Sequence, residues 1–442
     1  MIKFPYGMAD FRQIITQGYF YCDRTQSIPL LEQARSQLFI RPRRFGKSLL
    51  LSMLENYYDI ARKDAFDAMF GHLTIGLNPT PQRNFYFILR LGEEEVAKTL
   101  GDIATGCGLG EEKTSEALEM MRTYYNGYNF VPRGYVVVYN PTLCLYFFKQ
   151  FQKRCAYPND MLDANLAVDD SKLEYTANLP GGRDMVFTLA EREASIAVLR
   201  VSSRFGLSEM LSDHSKDKTF IASFLYYFGV LTLVGETNKG ELVLKVPNLV
   251  IQGLYVERVQ RMMLPDPVTR DRGLDLAKRV YQYGDIEPVC AFVEDVYFSV
   301  FKNRDYAQAN ELTLKTCFLT LLYNDILHIM DSEPELTRRY ADLTMIIRPD
   351  KRYLQIFDVL IEFKFLSLKQ LGLSGEAIRS KSPAELYSLS VVKHALEEGT
   401  AQVMDYGCRL GGRYRDLRLK KFVVTALGFE RICFLNADDL EG

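Results

Sequence analysis

A chain of 442 residues has room for about two to four domains, and 54 basic against 56 acidic residues leave a net charge of −2, so any nucleic-acid surface must be a local patch. The composition is that of an ordinary soluble protein, the longest apolar runs (such as 220–234) are broken by Ser, Tyr, Gly and Thr, and the first seven residues lack a signal peptide's apolar core, so no membrane segment is expected. Eight dispersed cysteines without a Cys-x-x-Cys pair and four scattered histidines argue against a zinc site and for reduced thiols in a cytoplasm.

Taken in chain order, residues 37–41 read as a short buried strand running into Pro42-Arg-Arg44-Phe-Gly46-Lys47-Ser48, with an apolar-spaced helix beyond. Strand, Gly-Lys-Ser loop and helix form the context of a phosphate-binding loop. Backbone N–H groups around Arg44 and Gly46 would cradle phosphate oxygens, Lys47 would reach the terminal phosphates of ATP, and Ser48 would hold Mg²⁺. Arg41 stands where the generic loop has its first Gly, so a basic loop capping a helix is the competing reading.

Residues 4–11 (Phe-Pro-Tyr-Gly-Met-Ala-Asp-Phe), 18–25 (Gly-Tyr-Phe-Tyr-Cys-Asp-Arg-Thr) and 38–48 together resemble the start of the bacterial AAA-ATPase-like family. That resemblance implies ATP binding through Arg44, Gly46, Lys47 and Ser48, and commonly a PD-(D/E)XK nuclease domain at the C-terminus. The chain departs from the family in one respect. The strand ending in paired acids that should hold Mg²⁺ and polarise water is not found, because residues 84–91 run at once into Gly92-Glu93-Glu94-Glu95. Residues 1–92 therefore read as a reduced P-loop region in which nucleotide can bind and hydrolysis is not expected. Glu93 to Glu95 are better explained as the acidic first turn of a helix.

Residues 93–265 read as a helical and winged-helix-like middle. Tyr124, Tyr125 and Tyr128 flank an Asn126-Gly127 turn and are more naturally core anchors than base-stacking platforms. Residues 223–248 give a helix and then a hairpin turning at Asn238-Lys-Gly240, with few basic residues, which favours domain packing over DNA binding. The segment 265–273, rich in Pro, Asp and Arg, is the best linker candidate.

The third region is 274–442. Asn310 can cap a helix whose first turn carries Glu311, where a carboxylate also favours the helix dipole. Asp342 then opens a strand, Arg348-Pro-Asp-Lys351 turns the chain, and a second strand ends in Glu362-Phe-Lys364. Glu362 and Lys364 are two apart and share one sheet face. Two carboxylates supply hard oxygen ligands for Mg²⁺ or Mn²⁺, helped by the Phe363 carbonyl, and the Lys364 ammonium would orient water or offset charge at phosphorus. Isolated charges inside so apolar a strand are costly unless paired or metal-bound.

Tyr340-Ala-Asp342 with Ile361-Glu-Phe-Lys364 resembles the core motif of the PD-(D/E)XK nuclease superfamily, and Gln402-x-x-x-Tyr406 resembles the motif of its helicase-associated exonuclease branch. The resemblance implies that Gln402 sits near the metal site and that Glu311 supplements the metal ligands. Two basic groups, one running from Arg409 through Arg413, Arg415, Arg418 and Lys420 to Lys421, the other comprising Arg338, Arg339, Arg348, Lys351 and Arg352, are candidate contacts to a nucleic-acid backbone.

The expectation is an α/β protein: a partial P-loop NTPase-like region, a helical and winged-helix-like middle, and a PD-(D/E)XK nuclease-like α/β domain. Its activity would be Mg²⁺-dependent hydrolysis of DNA phosphodiesters in the cytoplasm, with Asp342, Glu362, Lys364 and Gln402 as catalytic residues. The alternative is a nucleotide-binding module, interacting with DNA or protein, whose nuclease fold is inactive. Oligomeric state is not indicated.

Overall fold

The computed structural model describes residues 2–5, 8–33, 47–86, 92–130, 137–162, 168–191, 194–202, 216–299, 310–330, 342–414 and 416–440. The contacts divide the chain into two units, 1–90 and 91–442.

In the first unit, Asp10 caps helix α1 (Phe11–Thr16) by accepting from the Gln13 N–H. Phe11 and Ile14, three apart on that helix, are buried. They meet α2 (Lys47–Tyr58) and α3 (Phe66–Phe70) in a small core of Met53, Tyr57, Phe66 and Phe70. Asp23 ties distant segments together, one carboxylate oxygen accepting from the backbone and hydroxyl of Thr25, the other from those of Thr74. The expected strand at 37–41 and the loop carrying Arg44 and Gly46 lie outside the described residues. So do the side chains of Lys47 and Ser48, whose backbone begins α2. Of the expected strand at 84–91, Asn84 adopts a left-handed φ of 50° and Tyr86 makes a lone bridge to Asp59; the rest is not described.

The second unit starts with α4 (Glu93–Gly106), α5 (Glu111–Tyr125) and α6 (Pro141–Arg154) around buried Tyr124, Tyr125, Phe147 and Phe151. Tyr124 and Tyr125 are thus core anchors. Glu93, in the acidic first turn of α4, accepts from Arg122 and from the Tyr139 hydroxyl at 2.7 Å each. Gly127 has φ +105°, and a Cβ there would stand 2.1 Å from the Pro247 carbonyl, so this turn requires glycine. Cys107, just past α4, is disulfide-bonded to Cys155 at the end of α6 (Cα–Cα 5.5 Å). This corrects the expectation of thiols reduced throughout.

Helix α7 (Gly182–Leu189) leads to strand β1 (Ser195–Val198). Helix α8 (Lys218–Tyr227) is followed by β2 (Thr232–Glu236) and β3 (Leu242–Lys245), the expected helix and hairpin, with Gly240 at φ +78° in the turn. The sheet order is β1-β3-β2; the third strand was not foreseen. Helix α9 (Leu249–Met263) is buried over most of its length. Residues 265–273 are not a linker: Asp266 caps helix α10 (Pro267–Tyr283), accepting from the Thr269 N–H, with Pro267 at its first position.

Helix α11 (Glu311–Leu322) is capped by Asn310, as expected. Strands β4 (His328–Ile329), β5 (Leu343–Ile347) and β6 (Asp358–Leu366) follow, then helix α12 (Ser390–Arg413), β7 (Leu419–Leu427) and β8 (Arg431–Asn436). They build one five-stranded sheet in chain order, antiparallel except for the parallel β6–β7 pair, whose crossover carries α12. Side-chain alternation gives the sheet two apolar faces. Met345, Val359, Ile361, Phe363 and Val424 join the core that includes α11, with the Phe318 and Phe363 rings 5.0 Å apart. Ile346, Leu360 and Val423 pack with Val403 and Tyr406 of α12.

Candidate active site in the second unit

The site forms where sheet pairing and helix packing bring four elements together. Leu343 lies opposite Ile361 in the antiparallel β5–β6 register, so the next pair outward is Asp342 and Glu362. The Phe363 N–H donates to Asp342 Oδ2 at 2.8 Å and fixes that carboxylate against β6. Two residues along β6, on the face that meets α12, Lys364 donates to Glu362 Oε1 at 3.2 Å and to Gln402 Oε1. Gln402 reaches the sheet because Gly399 lets α12 lie close. A Cβ at Gly399 would stand 2.5 Å from Val423 Cγ1. Glycine inside a helix costs about 1 kcal/mol relative to alanine, and here it permits the approach.

The electrostatics set Glu362 apart. It is 6% exposed, its Oε2 is buried with no hydrogen-bond partner, and burial, reinforced by Asp342 and opposed by Lys364, pushes its carboxyl up to about 7. Burial also raises Asp342, against the Phe363 N–H and the lysines Lys315 and Lys364. Glu311, in the first turn of α11, is raised by burial and by Asp342. Lys364 is raised as well: burial alone would lower it, and its pairing with Glu362 outweighs that. Two carboxylates are thus pressed together where neither ionises freely, and one has an oxygen with nothing to accept from. That suits a cation held by Asp342 and Glu362. Among the described residues no group of three His, Cys, Asp or Glu side chains is placed to hold a metal ion; Glu311 adds to the field that raises Glu362.

The structure brings Asp342, Glu362, Lys364 and Gln402 together, and adds three groups that the sequence reading did not single out. Glu398 stands 3.7 Å from Lys364, and Lys315 stands 3.9 Å from Asp342 Oδ1 and 2.9 Å from Glu191. Spacing would have found two of them, since Glu398 is four residues before Gln402 and Lys315 four after Glu311. Nothing in the sequence points to Glu191.

The basic groups fare differently. Arg348 is not a surface contact: it is fully buried and donates five hydrogen bonds, two to Asp350 and one each to the carbonyls of Pro158, Asn159 and Asp325. Arg352 is paired with buried Asp358 at 2.6 Å, Arg418 donates to the Arg352 carbonyl, and Lys420 and Lys421 both face Asp438. Arg338, Arg339 and Arg415, and the side chain of Arg413, lie outside the described residues. Beside the turn end of the hairpin, a cavity of about 770 Å³ is lined by α9, α10 and the end of α11. Two of its cations are paired, Arg261 with Glu257 at 3.4 Å and Lys278 with Asp275 at 2.7 Å.

No helix among the described residues is long and apolar enough to cross a membrane. A family model described as a predicted AAA-ATPase matches residues 5–106, the first unit and the first helix of the second. No curated protein and no solved structure matches the chain.

Proposed function

We propose that the second unit is a divalent-metal-dependent phosphodiester hydrolase acting on DNA. The observation that carries the reading is the buried, partnerless Oε2 of Glu362, set against Asp342 and beside the Lys364 ammonium. Asp342 and Glu362 would hold Mg²⁺ or Mn²⁺, which as a Lewis acid would polarise the phosphoryl group. Lys364, held between Glu362 and Gln402, would orient water or stabilise negative charge that grows at phosphorus. Gln402 fixes the lysine's direction. For the first unit the AAA-ATPase-like match supports nucleotide binding, and we assign ATP contact to Arg44, Gly46, Lys47 and Ser48.

The test is cleavage of linear, circular and single-stranded DNA with Mg²⁺ or Mn²⁺, wild type beside Lys364→Ala. We expect metal-dependent cleavage that falls by at least about 10²-fold in the variant, the scale for losing one preorganised charge-stabilising donor, with the fold unchanged. Cleavage that persists in Lys364→Ala overturns the assignment. Lys47→Ala should abolish ATP binding and leave cleavage intact.

A further inference from the structure

We infer that the Cys107–Cys155 disulfide is a reducible latch on the segment that encloses Arg348, so that the redox state of this pair sets how firmly the turn end of the β5–β6 hairpin is held. The inference does not depend on the metal-site reading above, because no residue of that site takes part.

The latch sits where α6 gives way to that segment. Cys155 follows α6 with a left-handed φ of 50°, and its N–H donates to the Phe151 carbonyl at 2.8 Å. The chain turns there into residues 157–161. The Tyr157 ring lies against Phe147 and Phe151 of α6, with centroids 6.0 and 5.7 Å away. The Tyr125 hydroxyl of α5 donates to the Met161 carbonyl at 2.9 Å. Between these two anchors the carbonyls of Pro158 and Asn159 accept from Arg348 at 2.9 and 3.0 Å. Two of the three carbonyls that satisfy this buried cation therefore lie within four residues of Cys155. The disulfide ties the head of the segment to the end of α4, whose Val96, Leu100 and Ala104 are buried on the side that packs with Phe147.

The bond is open to chemistry. Cys155 is exposed and Cys107 half-buried, so a small thiol can reach the Cys155 sulfur. Neither cysteine lies at a helix N-terminus, the setting that favours a reactive thiolate, since they end α4 and α6. The pair is thus a latch and not an exchange catalyst. In opening, the thiolate of a small thiol attacks Cys155 Sγ, the S–S bond breaks, and Cys107 Sγ leaves with the electron pair and takes up a proton. A second thiol then displaces the first from Cys155, so the small thiols depart as their disulfide and the protein keeps two thiols. Closure is the reverse, with a small disulfide as the oxidant. Opening frees a loop whose ends are 48 residues apart, which favours states in which the last turn of α6 and residues 157–161 come away. Arg348 then loses two carbonyl acceptors and the hairpin turn loosens.

The test is hydrogen exchange of the full chain, read by mass spectrometry of its peptides, after equilibration with oxidised glutathione and again after reduction with dithiothreitol. Wild type is run beside Cys107→Ser and beside Cys408→Ser, which alters an exposed free cysteine outside the pair. We expect a peptide linked through Cys107 and Cys155 in the oxidised wild type only. On reduction, exchange over 151–162 and over 345–352 should quicken by at least about tenfold, a modest share of what closing a loop of this span supplies. Cys107→Ser should exchange like reduced wild type in both conditions, and Cys408→Ser should respond as wild type does. Because reduced wild type is itself the decisive arm, a serine variant that folds poorly leaves the test intact. Absence of the linked peptide overturns the inference. So does exchange over 345–352 that reduction leaves unchanged, since the bond would then be a local staple with no hold on the hairpin.

Discussion

At the turn end of the β5–β6 hairpin, Arg348 is fully buried and each of its five donors has an acceptor. At the other end Glu362 is nearly as buried, and one of its two oxygens accepts from nothing. Both charges cost several kcal/mol to desolvate, yet only the first is repaid in full inside the fold, since Glu362 has Lys364 on Oε1 and nothing on Oε2. Arg348 gathers the carbonyls of Pro158, Asn159 and Asp325 around the turn, which is an architectural task. Glu362 and Asp342 sit opposite one another in register; burial raises both, and Asp342 raises Glu362 further, which serves no architectural end. The Arg348 network closes on the fold, and the buried carboxylate oxygen of Glu362 is where we propose that a cation completes the other.

The contrast is broken most directly from the closed end. Arg348→Met should cost about 3–5 kcal/mol in urea unfolding, the range for removing one partner of a buried ion pair, because it takes the donor from three carbonyls and leaves Asp350 to Lys351 at 3.4 Å. A loss under about 1 kcal/mol, the worth of an exposed pair, would mean that the network is not what holds the turn.

His328 tests the same end by pH. Its Nε2–H donates to the Phe357 carbonyl at 3.1 Å, while Nδ1 is buried without a partner. Burial holds the imidazole down to about 4, against a small upward pull from Phe357 and Asp358. The folded state therefore keeps His328 neutral, while the unfolded chain takes up a proton near 6.5. The contribution is fully present above pH 6.5 and is lost as pH falls from there through 4. It amounts to about 3 kcal/mol at 1.36 kcal/mol per pH unit. Unfolding measured from pH 7 to 4 should show that slope in wild type and a shallower one in His328→Gln. Equal slopes would remove the histidine from the account.

Glu362→Gln should act with the opposite sign. Burial and Asp342 already disfavour the charge that the substitution deletes, so at pH 8 the fold should gain on the order of 2 kcal/mol, while DNA cleavage is lost. Stability gained at the expense of activity is the signature of a site strained for function. If Glu362→Gln destabilises as Arg348→Met does, the two ends of the hairpin are alike and the open network is an ordinary ion pair.

How much of this could be read beforehand follows from how local each signal is. Asp342, Glu362 and Lys364 were legible because a strand's period of two fixes which residues share a face, and a turn between two apolar runs fixes their pairing. The Asn310 cap and the hairpin at 237–241 were legible for the same local reasons. Arg348 was misread because sequence shows a cation beside a turn but not the carbonyls of Pro158, Asn159 and Asp325 that close over it. The linker at 265–273 was misread because Asp followed by Pro either interrupts a chain or starts a helix, and here Asp266 caps α10. Glu191 and the Cys107–Cys155 pair depend wholly on tertiary packing.

Gly399 gives the finest test, since it should move function far more than stability. Replacing it with Ala raises helix propensity by about 1 kcal/mol, but the new methyl cannot stand 2.5 Å from Val423 Cγ1, so α12 must lift from β7. Overpacking of this kind costs about 1–3 kcal/mol, and the two effects should leave stability within about 2 kcal/mol of wild type. Gln402, three residues on and bonded to Lys364, moves with the helix. Misplacing a positioning group by about 1 Å can cost 10²-fold in rate, so cleavage by Gly399→Ala should fall at least tenfold while the midpoint of thermal unfolding shifts by only a few degrees. A variant that cleaves at the wild-type rate would show that the Gln402–Lys364 bond is incidental to the chemistry, and that α12 is held near the sheet for packing alone.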